Sequence, residues 1–190
     1  MKRNALPAAA WLAVVVLCGF AGAQKTAEPA TMASILGGQL KYLEHDFASA
    51  AEAMPEDKFS FAPTNGEFKG VRNFGQQIKH VAATNYLVAA AILQEKPHVN
   101  LKGEDGPADM TSKTDILKFL NDSFAYAHKA VATVSEKNAT APIKNPFGQR
   151  PTTRLDMSAE LIGHGFNHYG QMVEYLRMNG IIPPASRGQQ

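Results

Sequence analysis

The chain has 190 residues, 19 of them basic and 17 acidic, with a single cysteine, Cys18. One cysteine excludes a disulfide framework and a Cys-ligated zinc site. A formal net charge of +2 leaves no basic stripe for nucleic acid or for an anionic membrane surface.

The first predicted element is a leader. In "MKRNALPAAAWLAVVVLCGFAGAQ", Lys2 and Arg3 precede an apolar run over about residues 8–20, and Ala21-Gly22-Ala23 supplies a small-x-small cleavage site. The run is short of the about 20 residues a membrane span needs. Residues 1–23 are therefore expected to be a cleaved signal peptide of an exported, periplasmic or secreted protein, with no membrane association after cleavage. Cys18 raises a lipid anchor as the alternative, but Leu17 stands where a lipobox usually has a small residue. Without residues 1–23 the chain balances 17 basic against 17 acidic residues and has no cysteine. Its remaining length suffices for one domain with a sizeable core.

A polar lead over residues 24–32 comes next, then four helical segments that form one domain over residues 33–184, and a tail over 185–190. The first helix is predicted over 33–54, where Leu36, Leu40, Leu43, Phe47, Ala50 and Met54 recur at intervals of three and four; Pro55 stops it. The second is predicted over 71–93, with Phe74, Ile78, Val81, Val88 and Ile92 as its stripe. A neighbouring row of His80, Thr84, Leu87 and Ala91 widens its buried face. The third runs over 113–134, capped by Thr111 or Ser112, with Ile116, Leu117, Leu120, Phe124, Ala127 and Val131 facing inward. The fourth runs over 154–179, with Leu161, His164, His168, Met172, Tyr175 and Leu176 on one side and a stop at Gly180 and Pro183-Pro184. No segment sustains a period of two. Four long helices joined by loops of roughly 15–20 residues predict an all-α four-helix bundle, and loops of that length usually carry or cover a site.

His164 and His168 stand at i and i+4, which places their Cβ atoms about 6 Å apart on one helix face. That face is apolar, so both rings point inward, where an unpaired polar ring is costly. Hydrogen bonds in a metal-free core offset that cost, and so does a metal ion, for which imidazole is a suitable ligand. This is not a zincin motif, because Gly165 occupies the position of the general-base Glu. Gly165 removes bulk instead, which suits a close helix contact or a substrate pocket. His80, on the second helix, completes a candidate set of three imidazoles. Three neutral ligands leave coordination positions open, as catalytic sites do. His45 is expected to be solvated, His98 to lie in its loop with no partner at ligand spacing, and His128 to be packed or hydrogen-bonded rather than a fourth ligand.

With His80 in "QQIKHVAATNY" and with the fourth-helix stretch "HGFNHYGQMVEYLRMNGIIPP", the chain resembles the DinB-like family, a superfamily of four-helix bundles that includes the YfiT-like proteins. The signature is His164, three residues, His168, one residue, Gly170-Gln171, then Leu176-Arg177-Met178-Asn179-Gly180. Tyr169 stands where relatives commonly have Arg. The resemblance covers about residues 34–184. It implies up-down-down-up topology and a divalent metal, zinc or nickel, held by His80, His164 and His168. It also implies a possible homodimer.

Two functions follow. One is a metal-dependent hydrolase or thiol transferase acting on an unknown small molecule, with Thr84, Asn85, Tyr86 and Gln171 shaping the pocket. The other is a non-catalytic metal- or ligand-binding stress protein, consistent with the lack of an obvious general base. Glu160, one turn before His164, is the nearest candidate; Glu174 reads as a solvated charge. The segment "NPFGQRPTTR" (145–154) is either a lid over the site or a loop whose Phe147 packs on the bundle. The sequon at Asn138-Ala139-Thr140 reads as chance.

Overall fold

The computed structural model describes residues 29–188. The leader, its Cys18 and the start of the lead lie outside the described residues. Four helices form the fold: α1 (Met32–Ala53), α2 (Phe74–Leu93), α3 (Lys113–Val131) and α4 (Arg154–Met178). Each begins on a polar cap that satisfies an otherwise orphaned backbone N–H. Thr31 accepts from Ser34 N at 3.1 Å, Asn73 from Gln76 N at 2.9 Å, Ser112 from Asp115 N at 3.1 Å and Thr153 from Asp156 N at 3.1 Å. Asn73 and Gln76 form a reciprocal capping box, and this sets the start of α2 three residues later than the apolar pattern alone suggests. The third helix also ends early, at Val131, where the Thr133 hydroxyl turns back to donate to Ala130 O at 2.7 Å.

Contacts at the helix ends give the directions. The start of α3 meets the start of α2, where a Cβ on Gly75 would touch Ile116 at 3.5 Å. At the other ends Tyr126 of α3 donates to Glu95, just past α2, at 2.6 Å. These two helices are therefore parallel. Lys113, at the start of α3, donates to the carbonyls of Glu52 and Met54 at the end of α1, so α1 opposes α3. Tyr175, near the end of α4, donates to Arg72 O just before α2, so α4 opposes α2. The result is up-down-down-up, with α1 and α2 each packed on both α3 and α4.

Leu40, Leu43, Phe47, Ile78, Val81, Leu120, Phe124, Leu161, Met172 and Leu176 are all fully buried. They match the apolar faces read from the sequence, and Phe47 and Phe124 meet edge to face at 6.2 Å between centroids. One feature departs from an all-helical reading. Strands β1 (Pro142–Ile143) and β2 (Thr152–Thr153) pair antiparallel and lead into α4. Two residues per strand are too few to show a period of two. No helix among the described residues is long and apolar enough to cross a membrane.

Candidate metal centre

Helix α2 is the most enclosed element: 16 of its 20 residues are buried, including Gln77, Lys79, His80 and Asn85. Each such polar group needs a partner in the interior, and the partners define the site. His80 lies on the side of α2 that faces α4. His164 and His168 face it from α4, and the three rings gather with centroids 4.5–5.0 Å apart. One ring nitrogen from each lies within 4.8 Å of the others, so the trio can hold a single ion. The convergence expected from the sequence is present.

The hydrogen bonds decide which nitrogens face inward. His80 Nδ1 is 2.7 Å from the carbonyl of Glu104. A carbonyl only accepts, so Nδ1 carries the hydrogen and Nε2 keeps its lone pair. His168 Nδ1 likewise donates to Gln77 Oε1. The Gln77 amide is oriented by its own donation to Gln171 Oε1 at 2.9 Å, and Gln171 donates on to Asn167 Oδ1 at 3.0 Å. Oxygen partners on Nδ1 that leave Nε2 bare are the usual support of a metal-ligating histidine.

His80 Nε2 and His164 Nε2 are 3.0 Å apart, a separation compatible with two ligands of one ion at bond lengths of about 2.0–2.1 Å. His164 Nδ1 is buried without a partner among the described residues. Burial, the largest cause, lowers the pKa of all three rings. Burial, then the neighbouring rings and Arg72, together take His164 to about 4 and His168 to about 3, and burial and Arg72 lower His80. The rings are thus neutral at physiological pH, the form that binds metal. Donor type and protonation fit a divalent ion for all three rings, and His80 and His168 also have the supporting hydrogen bonds.

A cleft of about 800 Å³ reaches the trio at His168 and is lined by Arg72, Gln77, Lys79, Asp105, His168 and Gln171 among others. Its roof is the connection between α2 and α3. Glu104 holds His80, and Lys79 Nζ donates to the carbonyls of Pro107 and Met110 at 2.9 and 3.0 Å. Gly106, at φ +67°, passes so close that a Cβ would lie 3.2 Å from Lys79 O. Asp105 Oδ1 lies 3.9 Å from His80 Nδ1 and accepts from Arg72 Nε and Nη2 at 2.9 and 2.8 Å.

Several expectations need correction. The segment over the rings is 103–110, not 145–154. Asn145 and Pro146 lie beside Gln94 and Pro97 at the opposite end of α2, and Phe147 is exposed, so neither the lid nor the packed phenylalanine holds. Glu160 is exposed and makes no hydrogen bond to the trio, and Asp105 is the carboxylate in the cleft lining. Of the four polar residues expected around the pocket, Gln171 lines it. Asn85 turns to Ser123 of α3 at 3.1 Å, and Tyr86 packs on Phe119 and Tyr126.

The other histidines behave largely as read. His45 and Glu174 are exposed, and His128 pairs with Glu44 at 2.8 Å. His98 lies outside the trio, as read, and meets Tyr126 edge to face with centroids 4.4 Å apart. Gly165 makes the close helix contact, because a Cβ there would drive into the side chain of Leu43 on α1. Tyr169 packs partly buried against the core. Sequence reasoning missed Arg72, Gln77, Lys79, Glu104 and Asp105. Only Gln77 carried a signal, since it sits one turn before His80 on the same buried face.

A family model described as the DinB superfamily matches residues 39–172. No curated protein matches the chain. The fold is similar to that of a DinB-like protein from Bacillus cereus ATCC 10987, with a TM-score of 0.65 and 18% identity over 81% of this chain and 96% of that one. It is similar to a DinB-like protein from Bacillus subtilis, with a TM-score of 0.60 and 18% identity over 77% and 92%. A conserved protein from Enterococcus faecalis shares it with a TM-score of 0.63 and 14% identity over 79% and 98%.

Proposed function

The chain belongs to the DinB superfamily, and from that premise we propose that it is an exported enzyme that binds a divalent ion, zinc or nickel, through His80, His164 and His168. Its reaction class is hydrolysis or thiol transfer on a small molecule. The observation that carries this reading is the pair of oriented imidazoles. Glu104 and Gln77 occupy the Nδ1 atoms of His80 and His168, and both rings are left with bare Nε2 atoms beside His164.

A divalent ion there supplies Lewis acidity. The rest is the work of the protein's own residues. Gln77, Gln171 and the Glu104 carbonyl hold His80 and His168 in one orientation and one tautomer. The roof segment, pinned by Lys79, bounds the cleft above the trio. Asp105, exposed to the cleft, offers a carboxylate oxygen to accept a proton from an attacking water or thiol.

Elemental analysis of protein purified without a His-tag tests the metal. About one ion per chain is expected, with heavy loss in His80→Ala, His164→Ala and His168→Ala. A metal-free wild type, or ion content unchanged in all three variants, would overturn the reading. Full metal content with no turnover of any thiol, ester or amide substrate would select the non-catalytic binding protein instead. Export is tested by sequencing the N-terminus of the protein recovered outside the cytoplasm, which is expected to begin at Gln24.

A further inference from the structure

Arg72 and Asp105 stand at the mouth of the cleft with unequal freedom. The backbone of Arg72 is fastened to α4 by Tyr175, whose hydroxyl donates to Arg72 O at 3.1 Å. The next residue, Asn73, is the cap of α2. Asp105 rides on the connection between α2 and α3, flanked by Gly103 and Gly106 in the left-handed region, and its side chain is 76% exposed. The guanidinium is therefore the fixed partner and the carboxylate the displaceable one.

The pairing is also incomplete. Arg72 spends both Nε and Nη2 on a single oxygen, Asp105 Oδ1. Its Nη1 donors make no hydrogen bond among the described residues, so a fork suited to two carboxylate oxygens serves one. Lys79, the other cation lining the cleft, has its ammonium committed to the carbonyls of Pro107 and Met110. Arg72 is thus the cation in the lining with donors to spare.

We propose that the cleft takes a substrate bearing a carboxylate, which docks on Arg72 by displacing Asp105. Asp105 acts as an internal stand-in for the substrate's carboxylate while the cleft is free. Once displaced, it remains tethered beside His80. The inference deepens the proposed function by naming a substrate class for the same site, and it rests on that reading only for where the chemistry takes place. The cleft, at about 800 Å³, is large enough for a ligand of small-metabolite size.

Succinate serves as the probe, titrated by NMR into the full mature chain both as purified and after chelation of metals, with dimethyl succinate and inorganic phosphate in parallel. Succinate is expected to shift resonances of residues around Arg72 and His168, and the diester is expected to shift none. Asp105→Ala removes the competitor and is expected to tighten succinate about two- to fivefold, the range a surface ion pair can hold back. Arg72→Met is expected to weaken it about tenfold or more, and Arg72→Lys to weaken it too, because the charge stays but the fork is lost. Thermal melts of each variant show that it is folded; Asp105 is exposed, and its removal leaves the core intact. Unchanged affinity in Asp105→Ala, retained binding in Arg72→Met, or equal affinity for phosphate would each overturn the proposal. The chelated arm keeps the two readings apart. Arg72-dependent succinate binding with no metal uptake sinks the metal centre alone, and metal uptake without succinate binding sinks this inference alone.

Discussion

Gln77 touches no ion in the proposed centre, yet it holds His168 by Nδ1 and is itself held by Gln171. Replacing it with Leu keeps the volume and removes the acceptor. The His168 ring then loses the group that fixes its tautomer, and its Nδ1–H is left buried without a partner. Metal affinity of Gln77→Leu is expected to fall about 10- to 100-fold, measured by competition with a chromophoric chelator. An unchanged affinity would show that packing alone orients the ring. The two glycines beside His164 make a second comparison. A Cβ on Gly163 meets nothing within 4 Å, whereas one on Gly165 runs into Leu43. Gly163→Ala is expected to stabilise the protein by about 0.5–1 kcal/mol through helix propensity. Gly165→Ala gains the same term and loses about 1–3 kcal/mol to overpacking, so its Tm is expected to drop while that of Gly163→Ala rises. Thermal melts in parallel check the opposite signs.

The connection between α2 and α3 is held by a charge, not by apolar packing alone. Lys79 is buried and gives its ammonium to Pro107 O and Met110 O. Lys79→Met keeps the stem and removes the donors, leaving Met110 O without its partner and Pro107 O with only the Met110 N–H at 3.4 Å, a loss of about 1–3 kcal/mol in all. Residues 103–110 are expected to exchange their amide hydrogens faster in this variant, with exchange in the four helices unchanged; equal exchange in that segment would mean Lys79 does not pin it. The same contrast explains what could be read beforehand. The four helices were readable because each buries one face against two neighbours, and that demand writes a period of three and four into Leu40, Leu43 and Phe47 or Leu161, Met172 and Leu176. The i, i+4 spacing of His164 and His168 was readable for the same reason. The roof was not. Glu104 contributes a backbone carbonyl, which any residue could supply, and Asp105 and Arg72 meet across 33 positions. The misplaced lid shows the same limit, since turn chemistry in 145–154 marks a loop without saying which end of the bundle it covers.

Together the rings tie the protein's stability to pH through two linked equilibria. In the metal-free chain burial first, then the neighbouring imidazoles and Arg72, hold His168 to about 3 and His164 to about 4, with His80 also lowered. Unfolded, each returns to about 6.5. As pH falls below 6.5 the unfolded chain takes up protons that the folded chain refuses, so stability declines towards pH 4 and levels once the folded rings titrate as well. The slope is at most about 1.4 kcal/mol per pH unit for each ring, and less in practice because solvent reaches the half-buried His164. A bound ion acts on the same lone pairs. It favours the folded state by mass action, and acid weakens it by protonating its ligands, so the loaded protein starts higher and falls more steeply. Urea unfolding from pH 7.5 to 4.5 is expected to show three curves: steepest for the zinc-loaded wild type, intermediate after chelation, and flattest for a His164→Ala, His168→Ala double variant. Groups outside the site are common to all three samples and cancel in the comparison. If the chelated wild type and the double variant gave parallel curves, the rings would not be buried as neutral bases, and the argument for a preorganised ligand set would fail with them.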